Sequence, residues 1–121
     1  MLRHQLLEDE GMLIVTPEAP LASDDFKELA REVDPYIQRR GTLTALVIEA
    51  RSFPGWQDFG GLISHLRFVH DHHRKIKRVA VISDSKLLSI APHLVAHFVA
   101  AQVKHFPEDE RQAALDWARG S

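Results

Sequence analysis

Cysteine is absent from the 121 residues. That removes disulfide staples and thiolate chemistry, and it fits a reducing compartment. Neither sign of charge dominates: fifteen Lys and Arg stand against seventeen Asp and Glu, for a net charge of −2. Bulk attraction to nucleic acid is therefore not expected. No stretch is long and apolar enough to span a bilayer. The opening "MLRHQLLEDEGM" carries charges where a signal peptide needs an apolar run. There is no internal repeat, no Gly-rich phosphate loop, no HExxH pattern and no nucleophile-elbow sequence. These absences speak against nucleotide binding, zinc-peptidase chemistry and serine hydrolysis. The expectation is a non-catalytic protein with no cofactor and a cytoplasmic location, either free or peripheral at the inner face of the membrane.

What is present reads as one domain, residues 1–121. "LRHQLLE" and "MLIVTP" flank Asp9-Glu10-Gly11, a composition that predicts two strands joined by a tight turn. "LTALVIEA" (Leu43 to Ala50) and "RVAVIS" (Arg78 to Ser83) are short apolar runs with β-branched members, as in strands buried on both faces. "QVKHF" (Gln102 to Phe106) alternates and predicts an edge strand. Helical spacing connects Phe26, Leu29, Ala30, Val33 and Ile37, with Ser23 as the expected N-cap and Pro35 expected to kink or interrupt the helix. A second stripe comprises Phe59, Leu62, Ile63, Leu66 and Val69, and a third Leu87, Ile90, Ala91, Leu94 and Phe98. A last helix is expected after Pro107, with Gly120 terminating it. The order β-β-α-β-α-β-α-β-α predicts an α/β fold with a mixed, largely parallel five-stranded sheet and four helices.

The stretch "LVIEARSFPGWQDFGGL", with "RVAVISD" and "HFPEDERQAALDW" further on, resembles the SpoIIAA-like family, and more closely its small stand-alone bacterial members. The resemblance covers nearly the whole chain. It implies the fold shared by STAS domains and anti-sigma-factor antagonists, which is related to Sec14-like lipid-binding domains. In antagonist-type members the matching loop reads roughly Asp-Ser-Ser-Gly, and a serine there is phosphorylated. Here the segment is "DFGG": Asp58 matches the Asp, and Phe59 and Gly60 occupy the serine positions. Neither has a hydroxyl, so that switch is absent. The resemblance to the stand-alone members implies instead an apolar-ligand site and membrane contact.

The candidate residues fall into two sets. Phe53, Trp56 and Phe59 crowd one loop at a strand's carboxyl end, the usual place for a ligand in a parallel sheet. With Leu87, Leu94 and Phe98 they are the expected lining of a site for an apolar small molecule or lipid. The competing reading is ordinary core packing. In "HLRFVHDHHRKIKR", the cations Arg67, Lys75 and Lys77, with an outward-pointing Phe68, are expected to face a membrane surface or a partner. The alternative function is a STAS-type protein-interaction module without a phosphoswitch, and a second copy of the chain is admitted as a partner. His70 and His73, and His93 and His97, each share a helical face, yet too few further ligands accompany them to close a metal site. Glu49 is read as a paired rim residue rather than an acid–base catalyst.

Overall fold

Alternate residues of each central strand bury into different layers, and this fixes the architecture. The computed structural model describes residues 1–50, 55–83 and 102–120, with the backbone alone at Phe59. Its strands are β1 (Leu2–Leu7), β2 (Met12–Pro17), β3 (Leu43–Glu49), β4 (Ile76–Ser83) and β5 (Gln102–Pro107). They form one five-stranded sheet in the order β1-β2-β3-β4-β5. The β1–β2 pair is antiparallel; every other neighbouring pair is parallel. The helices are α1 (Ser23–Arg40), α2 (Phe59–His72) and α3 (Arg111–Arg119), with short 3₁₀ turns at His73–Lys75 and Glu108–Glu110. Three α-helices thus stand among the described residues, where four were expected. The Leu87–Phe98 run assigned to the other lies outside the described residues.

Each parallel connection steps one strand further in the same direction. Right-handed crossovers therefore put the connecting helices on one face. α1 and α2 do share a face: Leu29, Val33, Tyr36 and Ile37, with Phe68 and Val69, pack over Leu13, Val15, Leu46, Val79 and Val81. On the other face Ala114, Leu115 and Ala118 of α3 cover Met12, Ile14, Val47, Ile82 and Phe106. Arg78 on β4 holds the end of α3. Its guanidinium donates to the Trp117 carbonyl at 2.7 Å and lies 5.5 Å from that ring's centre. Gly120, at φ 93°, caps the helix as expected.

Three local expectations change. Ala22, not Ser23, is the N-cap of α1. The Asp25 carboxylate takes the Ala22 N–H at 2.8 Å and the Leu2 N–H at 3.3 Å, so the side chain three residues on satisfies the helix start. Pro35 lies inside a continuous α1. The ring is on the solvent side, and the buried Val33, Tyr36 and Ile37 hold the helix to the sheet around it. β4 starts at Ile76, because that buried residue already pairs with Leu43.

Candidate functional site

The loop after β3 rejoins the fold through backbone contacts. Leu21, leading into α1, donates its N–H to the Gly55 carbonyl at 2.9 Å and accepts from the Gln57 N–H at 2.8 Å. Gly55 has φ 83°, which only glycine adopts easily. Asp58 then caps α2, its Oδ1 accepting the Gly61 N–H at 2.9 Å. Gly61 is a close-approach position: a Cβ there would stand 2.3 Å from the Leu21 carbonyl oxygen. Of "DFGG", therefore, the Asp and the last Gly have structural duties.

Trp56 sits on this rim and is 39% exposed. Its indole N–H donates to His65 Nδ1 at 3.0 Å, so His65 carries its neutral-state proton on Nε2. His65 stacks on Phe26 of α1 with ring centres 5.0 Å apart, and Phe26 meets Phe68 at 6.2 Å. Phe68 in turn stacks on His72 at 4.0 Å. A line of rings therefore runs between α1 and α2 from the rim to the end of α2, where His72 reaches Asp34 at 2.6 Å.

This ladder reverses the expected orientation of α2. Gly61, His65, Phe68, Val69 and His72 face the sheet and α1, spaced at the helical period. Phe68 is half-buried against the core and does not point outward as expected. The reason is chemical: the two imidazoles on its side find rings and hydrogen-bond partners there, which makes their burial tolerable. Ile63 and Leu66 turn to solvent instead, at 37% and 42% exposure.

The cationic set divides. Arg67 is exposed midway along α2, Lys75 is in the 3₁₀ turn beyond it and Lys77 is at the start of β4. Because β3 and β4 are parallel, the start of β4 lies at the opposite end of the sheet from the Trp56 rim. The 14 residues of α2 separate the two ends by about 20 Å. Lys75 and Lys77 therefore do not share one patch with Trp56. Lys75 lines a cavity of about 280 Å³ with Asp34, Ile37, Gln38, Asp71 and His72. Phe53, Leu87, Leu94 and Phe98 lie outside the described residues, as does the Phe59 side chain.

The sequence did not show one pairing at all, that of Ser83, and did not name the partner in another, that of Glu49. Ser83 Oγ lies 2.7 Å from His105 Nε2, but Ser83 is wholly buried, so this pair offers no nucleophile to a substrate. Glu49 receives Arg111 at 2.9 Å, an ion pair tying β3 to α3 at the rim. Among the described residues no group of three His, Cys, Asp or Glu could hold a metal. No helix there is long and apolar enough to cross a membrane.

A family model described as SpoIIAA-like matches residues 12–119, which run from the first residue of β2 to the last of α3. Neither the curated proteins nor the solved structures give a match.

Proposed function

Because the chain belongs to the SpoIIAA-like family, we propose that it is a non-catalytic, STAS-type interaction module that docks a protein partner on the outward face of α2. The observation that carries this reading is the exposure of Ile63 and Leu66, three residues apart on one helix and therefore neighbours on its surface. A helix face is convex, whereas sites for small molecules are concave and enclosing. A ridge of this kind suits the apolar groove of another protein. Arg67 beside it calls for an acidic border on that groove.

A second reading is an apolar small molecule or lipid held by Phe53, Trp56, Phe59, Leu87, Leu94 and Phe98 at the strand-end rim. Its support is Trp56, whose indole N–H bonds to His65 at this rim and which is 39% exposed. Membrane contact through Arg67 would accompany it.

One set of measurements separates the two. Quantitative affinity capture compares wild type with the Ile63→Asp/Leu66→Asp variant, after both are shown to fold. The interaction reading expects a stoichiometric protein partner that the variant loses, by at least about tenfold in affinity, since two apolar anchors are removed. Native mass spectrometry should then find no co-purified lipid, and vesicles of phosphatidylcholine with phosphatidylglycerol should not retain the wild type. Extractable lipid, with vesicle binding that the variant keeps, would replace the first reading by the second.

A further inference from the structure

His72 ends α2 and is 7% exposed. Its Nε2 lies 2.6 Å from Asp34 Oδ1 on α1, and its Nδ1 lies 2.7 Å from the Phe68 carbonyl oxygen one turn back. A carbonyl oxygen only accepts, and so does an ionised carboxylate. Asp34 is half exposed, so water solvates its carboxylate. A neutral imidazole has one N–H and can serve one of these acceptors; an imidazolium serves both. We propose that His72 is a proton-dependent clamp between α1 and α2, at full strength when its ring carries both protons and weakened when one is lost.

The surroundings fit a positive ring. From α1 the facing charge is Asp34. From α2 it is Asp71, itself 3.3 Å from His70. From the 3₁₀ turn come His73, whose Nδ1 is buried without a hydrogen bond, and Lys75, which lines the cavity that Asp34 and Asp71 also line. Two carboxylates thus stand against one ammonium. The face of Phe68, 4.0 Å away and 19° from coplanar, adds a surface that favours a cation. With one proton gone, a nitrogen lone pair faces an oxygen lone pair at hydrogen-bond distance, and one end of the link repels.

The sign follows from where the second donor is used. It has both partners in place only in the folded chain, so its contribution is present in acid and is withdrawn in alkali, where the ring has one donor for two acceptors. With a single proton the ring can satisfy Asp34 or the Phe68 carbonyl but not both, so the last turn of α2 is held to α1 less firmly. The clamp is independent of what docks on the other side of α2.

The test is urea unfolding of wild type and His72→Gln from about pH 5.5 to pH 8.5. Subtracting the two cancels the other seven histidines of the eight. Wild type should lead at the acid end by about tenfold in the folding equilibrium, as for a charge-assisted hydrogen bond, and the lead should shrink at the alkaline end. Asp34→Asn, on the solvent side of α1, should remove the same pH-dependent part. Nitrogen-15 spectra of the wild type should show protons on both His72 nitrogens at the acid end and on one at the alkaline end. A wild-type lead that is flat in pH, or an Nδ1 without a proton in acid, would overturn the clamp. If His72→Gln does not fold, Asp34→Asn and the spectra decide.

Discussion

Positions 60 and 61 are neighbours that tolerate a side chain differently, because only the second faces the Leu21 carbonyl. At Gly61 a methyl group would meet that oxygen at 2.3 Å, and the oxygen belongs to backbone already bound to Gln57. Gly61→Ala should therefore push α2 away from the lead-in to α1 and cost about 1–3 kcal/mol, as overpacking does. At Gly60 the nearest atoms are the Ser23 hydroxyl at 3.2 Å and an Asp58 oxygen at 3.3 Å. The hydroxyl can turn aside, so Gly60→Ala should cost much less. Denaturant unfolding of the two variants side by side checks the contrast. Asp58→Ala tests the same corner from the other side. It removes the side-chain acceptor of the Gly61 N–H, leaving only the Asp58 backbone carbonyl at 3.1 Å, and should lose about 1 kcal/mol.

Among the elements, α1 and α2 show where a sequence pattern holds and where it fails. Along α1 the apolar spacing from Phe26 to Ile37 predicted the buried face, and only Ala30 is less buried than expected. Its interior proline is a weakness that can be repaired. Pro35→Ala restores a backbone donor and relieves a helix penalty of about 3 kcal/mol, offset by up to about 1 kcal/mol of extra freedom in the unfolded chain. The variant should gain roughly 2 kcal/mol, read as a raised unfolding midpoint. α2 was misread because its inward face includes His65 and His72, which a count of apolar residues scores as surface. The positions at 61, 65, 68 and 72 carry the true period, and Gly61 was the clue in it. Ring stacking and the Asp34 bond, which reverse the orientation, depend on residues of another helix and are not local to the stretch. For the same reason Ile63 and Leu66 were expected in the core. Being exposed, each should tolerate Ser with little loss of stability, within about 0.5 kcal/mol.

At the scale of the molecule, the number of strands and the largely parallel sheet were legible, because β3 and β4 are short apolar runs separated by helical patterns; the order of the strands across the sheet was not. Legible too was the pairing of Glu49, but not that its partner would be Arg111, 62 positions away. Such ion pairs, with Arg39–Glu8 and Arg119–Glu10, fasten helix ends to β3 and to the β1–β2 turn and are partly open to water. Each is worth about 0–1 kcal/mol and is screened by salt. Thermal unfolding at about 1 M salt should consequently lie within a few degrees of that at low salt, if sheet packing carries the stability.

The two layers of helix also differ in when they are made. α1 and α2 are synthesised between the strands they cover, so their side of the sheet is covered as it grows. α3 follows all five strands. Until residues past 110 have left the ribosome, Met12, Ile14, Val47 and Ile82 lack the cover that α3 gives them, and a chain cut short before α3 would be inclined to stick to its neighbours.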